Sequence, residues 1–175
     1  MKPKLNIIPA VKNIKVNGKE ITIPKLGFRH IKLLKDMQGV DSCMIELLDS
    51  IRPGLTAAEA DMVILHLLAF NKKLPAVQTI NGFDVDIDKA YISAKYEFEL
   101  NGNILYFKPP MITDTFVSKL DILTKQYDKE KSGFDFNFED APAFVLDWAD
   151  FIVSTISLDT PFGKINGGSN IIGII

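Results

Sequence analysis

The chain has 175 residues, 47% hydrophobic and 24% charged, with a net charge of −2. That allows one domain, or two very small ones, around a core that needs neither disulfide nor metal. Cys43 is the only cysteine, which excludes an internal disulfide or a multi-cysteine zinc site and leaves a small buried apolar residue as its expected role.

At the N-terminus Lys2, Lys4, Lys12 and Lys15 are broken up by Pro3 and Pro9, with no apolar core of signal-peptide length. Residues 62–70, the longest apolar run, contain His66 and are too short to cross a bilayer. The expectation is synthesis in the cytosol with no membrane partner. Residues 13–16 and 19–23 alternate apolar and polar side chains around Asn17-Gly18, the strongest short hairpin signal. A helix follows over 27–37 through Phe28, Ile31, Leu33 and Leu34. Asp41 is placed to cap a short helix through Met44, Leu47, Leu48 and Ile51, ended by Pro53-Gly54. Thr56 with Glu59 has capping-box spacing, and the apolar run behind it predicts a central core helix. Asn81-Gly82 and Asn101-Gly102 predict two further hairpins, the second with Tyr96, Phe98 and Leu100 on one face and Glu97 and Glu99 on the other. After Pro109-Pro110, Thr113 or Asp114 opens a helix through Phe116, Leu120 and Leu123. Asp140 caps a last helix with Pro142 in its first turn, running through Phe144, Val145, Trp148, Phe151 and Ile152.

The result is an α+β fold of two or three short antiparallel hairpins packed against about five helices, occupying residues 1–159. Asn17-Gly18 and Asn101-Gly102 lie 84 residues apart, as do Thr56 and Asp140. This spacing raises an old duplication with halves 10–75 and 94–157, against coincidence of common elements. Residues 160–175 carry four glycines, five isoleucines and one charge, Lys164. Such a segment is expected to be an extended apolar tail that docks on a neighbour by strand addition, or folds back onto its own sheet.

Chemistry is hard to assemble. His66 lies on the apolar face of the capped helix, and neither Glu59 nor Asp61 is three or four residues from it. Asp84, Asp86 and Asp88 alternate at strand period, as a solvated hairpin face does, without the glycine and distal glutamate of a calcium loop. No metal, phosphate-loop or nucleophile-elbow motif occurs. Gly167-Gly168-Ser169 reads as a glycine turn without the lysine or following helix of a phosphate loop. No catalytic residue, cofactor or metal ligand is therefore assigned.

Charge is polarised. Residues 1–35 carry nine basic side chains against Glu20 alone, a net of +8, and residues 135–175 carry a net of −5. The bases are spaced along a strand and a helix without clustered aromatics, which favours protein surfaces over nucleic acid. The expected partner-binding residues are Phe162, Ile165, Ile171, Ile172, Ile174 and Ile175 in the C-terminal segment. Lys12, Lys15, Lys19 and Arg29 form the expected basic N-terminal face.

The runs VNGKEITIPKLGFRHIKLLKDM, LLDSIRPGLTAAEADMVILHLLAFN and INGFDVDI leading into YEFELNGNILYFKPP resemble the baseplate hub proteins of T-even-like contractile-tailed phages, above all the hub distal subunit and next the related hub-assembly protein. The similarity covers roughly residues 7–110 and weakens beyond. It implies a part of the tail baseplate hub, made in the host cytoplasm and acting on other hub or tail proteins, with self-association a further expectation; it carries over no functional residues. An assembly chaperone absent from the finished virion is the alternative. Less favoured are a small enzyme built from His30, His66 and Asp61, and a nucleic-acid-binding module.

Overall fold

The computed structural model describes residues 10–34 and 39–175. Hairpin strands β1 (Val11–Val16) and β2 (Lys19–Pro24) open it, and Asn17 and Gly18 at the turn have φ of 50° and 74°. Both central residues of this turn type need positive φ, which asparagine and glycine tolerate best. Helix α1 (Phe28–Leu34) follows, starting one residue after the expected Gly27, and residues 35–37 of the expected helix lie outside the described residues. In α2 (Val40–Ile51) the cap is Gly39 at φ 88°, not Asp41. Asp41 sits inside the first turn, where its charge favours the helix N-terminus.

Helix α3 (Ala57–Phe70) carries the expected capping box: Glu59 N donates to Thr56 Oγ1, and Thr56 N donates to Glu59 Oε2, both at 3.2 Å. Its Val63 and Leu65 are fully buried, and it packs against β1, β2 and the later C-terminal elements, as an all-round apolar helix should. Strands β3 (Val77–Ile80) and β4 (Phe83–Asp86) form the second hairpin around Asn81-Gly82, and a 3-10 turn leads to β5 (Tyr91–Ile92).

The third hairpin, β6 (Glu97–Leu100) with β7 (Asn103–Tyr106), buries Phe98 and Leu100 and exposes Glu97 and Glu99. Helix α4 (Lys119–Gln126) starts later than expected and is capped by Ser118, whose hydroxyl accepts from Asp121 N; Asp114 instead accepts from Met111 N in the preceding turn. The four-residue α5 (Lys129–Ser132) comes next.

The single helix expected behind Asp140 is broken. Asp140 ends a 3-10 turn capped by Asn137, Ala141 is extended, a second 3-10 turn spans Ala143–Asp147, and only α6 (Trp148–Ile152) is α-helical. Pro142 explains the gap after Asp140, because the residue before a proline, here Ala141, is driven out of the helical region.

Residues 160–175 are not an extended tail. Strand β8 (Ile156–Thr160) takes in the first of them and pairs with β9 (Gly163–Asn166), and helix α7 (Gly168–Ile174) follows Gly167. The boundary expected after residue 159 thus falls inside a strand, and the glycine pair does lead into a helix. Among the described residues the fold has four hairpins and seven α-helices, so it is α+β with more elements than the sequence predicts.

The buried side chains divide into two cores. One joins β1, β2, α2, α3, β4, β8 and α7, with Ile14, Ile23, Leu65, Ile156 and Ile171 among its members. The other joins β6, β7, α4 and α6 around Phe98, Leu105, Leu123, Trp148 and Ile152. The second unit is inserted into the first: the chain leaves after β5 and returns at β8, and these two strands pair with each other through Tyr91↔Ser157 and Ile92↔Ile156. Beyond that pair, Ser93 N donates to Thr155 O at 3.0 Å and Lys95 N to Phe151 O at 3.1 Å, so the outgoing and incoming segments are zipped together.

Candidate docking surfaces

The four basic residues of the expected N-terminal face are not brought together. Strand periodicity puts Lys12 and Lys19 on the side of the hairpin that carries Ile14 and Ile21, and puts Lys15 on the opposite side, across from Glu20. Lys12 Nζ lies 3.7 Å from Asp88 Oδ1. Lys19 Nζ donates to Glu59 Oε1 at 2.6 Å. Lys15 is exposed, and Arg29 is exposed on α1 at the rim of a groove it shares with Val11, Pro24 and Leu33.

The C-terminal residues divide by burial. Ile171 is completely buried in the first core, and Ile165, Ile172 and Ile175 pack half-buried against it. Only Phe162 and Ile174 stand out, at 55% and 46% exposure. Phe162, in the β8–β9 turn, meets Phe83, beside the β3–β4 turn, edge-to-face at 5.5 Å. Phe83 is 49% exposed, so the two hairpin tips present a joined aromatic pair to the outside. Period-2 alternation assigns Phe83 to the face of Val85, and a contact with a residue far along the chain leaves no local signal.

A second aromatic surface also escapes sequence reading. Phe98 stacks on Trp148 at 4.7 Å between centroids, Phe144 meets Trp148 at 6.3 Å, and Phe151 meets Phe98 at 6.3 Å. The central rings are buried while Phe144 and Phe151 are 54% and 52% exposed. Lys95 Nζ lies over the Phe98 ring, and Lys119 is shared by Asp150 at 2.6 Å and Asp147 at 3.9 Å. The 144, 148, 151 spacing hints at a shared helical face, but the interrupted helix hides how far its ends protrude.

The titratable groups are occupied locally. His66, on α3, is buried; its Nδ1 lies 3.4 Å from Asp88 Oδ1 and makes no hydrogen bond among the described residues. Burial pulls its pKa below the ordinary histidine range, Asp88 and Asp86 opposing and Lys12 assisting. His30 is also pulled down, by burial and then Arg29, while its Nδ1 accepts from Gly27 N at 3.0 Å. Asp61 Oδ2 accepts from Thr155 Oγ1 at 2.6 Å. His30, His66 and Asp61 are therefore each tied to a different neighbour. Glu59 is 1% exposed. Burial raises its pKa, but the Lys19 hydrogen bond, the Thr56 amide and the Lys19 charge outweigh that and hold the carboxyl below the ordinary range.

No solved structure matches the chain. The sequence profile described as baseplate hub distal subunit matches residues 23–175. A curated relative, the baseplate hub assembly protein gp28 of Enterobacteria phage T4, is 40% identical over 176 residues, covering 97% of this chain and 98% of the relative. The chain belongs to the baseplate hub distal subunit family, a structural component of the phage tail baseplate.

Proposed function

We propose that the chain works in the hub solely by protein–protein contact, made in the host cytoplasm, retained in the baseplate, and without an enzymatic step, nucleic acid or membrane as partner. The family is that of a hub subunit, which favours a retained part over a chaperone that leaves. The observation that carries the contact reading is the exposed pair Phe83 and Phe162, which joins two hairpin tips and has no core to fill. Half-exposed aromatics of this kind are the residue type that anchors interfaces once water is excluded. The partners are other hub or tail proteins. Among the described residues no helix is long and apolar enough to cross a membrane.

The revised assignment of the predicted residues follows their exposure. Phe162, Ile174, Lys15 and Arg29 remain available for contact; Ile171 and Lys19 hold the fold. The test is a phage carrying Phe83→Ser with Phe162→Ser, with the chain quantified in purified virions by mass spectrometry. The reading expects a folded variant whose incorporation falls at least tenfold, about 1.4 kcal/mol of contact energy. Unchanged incorporation of the folded variant would remove this pair from the interface.

A further inference from the structure

Charge follows the two cores rather than the two ends of the chain. Residues 93–155, the inserted unit, hold eleven acidic and six basic side chains, a net of −5; the remainder of the chain is +3. The local ion pairs do not erase this imbalance. Lys119, Lys125 and Lys129 pair with Asp150, Asp121 and Asp135, while no lysine bridges the exposed Glu97, Glu99, Glu139 or Asp140 among the described residues. The same unit presents the exposed ends of the aromatic strip, Phe144 and Phe151, on either side of buried Trp148 and Phe98.

Resting on the contact reading above, we propose that the inserted unit is a docking module whose Phe144–Phe151 strip receives a basic segment of another hub protein bearing an apolar anchor. The strip supplies contact area, because two half-exposed rings backed by a packed aromatic core lose little freedom on binding. The unit's field supplies steering and partner choice: a net charge of −5 draws a basic partner and repels an acidic one. At the rim Lys119 is held by Asp147 and Asp150, so closing the strip over it strands no lone charge, and Lys95 lies over the Phe98 ring. A second copy of this chain is the poorer occupant of the strip, since two identical −5 units would face each other across a two-fold contact.

The test uses whole virions. Lysine-reactive cross-linking of wild-type particles reads the neighbour of Lys95 and Lys119 directly. The module reading expects links to a net-basic segment of a different protein; links to an acidic segment, to a second copy, or to none overturn it. In parallel, Phe144→Ser with Phe151→Ser, and separately Glu139→Lys with Asp140→Lys, are carried into phage. Both variants are expected to keep the wild-type melting temperature within a few degrees and to be incorporated at least tenfold less. Normal incorporation of a folded Phe144/Phe151 variant also overturns the module. If the wild-type chain is itself absent from virions, the contact reading fails first, and the two failures are thereby told apart.

Discussion

Lys19 Nζ, at the β1–β2 turn, donates a 2.6 Å hydrogen bond to Glu59 Oε1, the same carboxylate that closes the capping box of α3. One buried side chain thus fixes the start of the core helix and pins the first hairpin against it. The partners are unequal, Glu59 being 1% exposed and the Lys19 side chain 43%.

That inequality predicts asymmetric variants. Lys19→Met leaves a buried carboxylate without its cation and should cost about 3 kcal/mol. Glu59→Gln leaves a lysine that can turn to water and an amide that can still accept from Thr56, and should cost nearer ~1 kcal/mol. Urea unfolding of the two single variants decides it, and equal costs would contradict the burial argument. Because the folded pKa of Glu59 is depressed, its contribution is present above the unfolded glutamate pKa and is lost as pH falls through the folded one. Lys19→Met should remove that component of acid sensitivity.

His66 and His30 make stability fall on the acid side of neutrality. Both are held below the ordinary histidine pKa in the fold, so the unfolded chain takes up protons first as pH drops below about 6.5. Stability is full above that pH and declines until the folded pKa values are passed. His66→Leu should flatten part of the slope below about pH 6.5 in unfolding free energies measured at fixed salt, leaving the His30 part. An unchanged slope would mean that His66 titrates normally in the fold.

Gly168 opens α7 against α3, and a Cβ there would lie 2.9 Å from Asp61 Oδ2, an oxygen already held by Thr155. Helix propensity alone says that Gly168→Ala stabilises by up to about 1 kcal/mol. The contact says the reverse, a loss of roughly 1–3 kcal/mol as in an overpacked core. Calorimetry gives the sign, and Asp61→Ala in the same chain should relieve most of the loss.

Ile171 and Ile174 separate fold from surface within one helix. Ile171→Ala should cost about 2–4 kcal/mol, because its side chain is fully buried between α3 and β8. Ile174→Ser should stay within about 0.5 kcal/mol as an exposed change. Removal of residues 171–175 should therefore lower the melting temperature sharply, rather than leave a folded domain that merely fails to dock.

The features legible in the sequence are those set within a few residues. Each Asn-Gly hairpin and the Thr56–Glu59 box rest on local backbone chemistry, and the alternation holds within the paired strands, although Asp88, read as continuing the period of Asp84 and Asp86, sits in a 3-10 turn. The features missed depend on distant parts of the chain. Helix α7 has no side-chain cap and two glycines, and it is held because Ile171 enters the core between elements more than a hundred residues away from α7 in part. The β8–β9 hairpin turns through Pro161 and Phe162 instead of Asn-Gly, so its signal is absent. The basic residues look like one face only until strand period and their partners, exposed Asp88 and buried Glu59, are taken into account. The surface strip is hidden because Phe144 lies in a 3-10 turn and Trp148 and Phe151 in the α-helix that follows it, so one helical period does not place all three.

The central claim is that this chain is a retained structural part of the baseplate hub. Quantitative mass spectrometry of salt-washed, purified virions tests it most directly. The account predicts the chain in every preparation at a fixed small number of copies per baseplate, undiminished by washing. Trace amounts that wash away, from particles that are otherwise complete, would contradict it and make the chain an assembly factor that leaves.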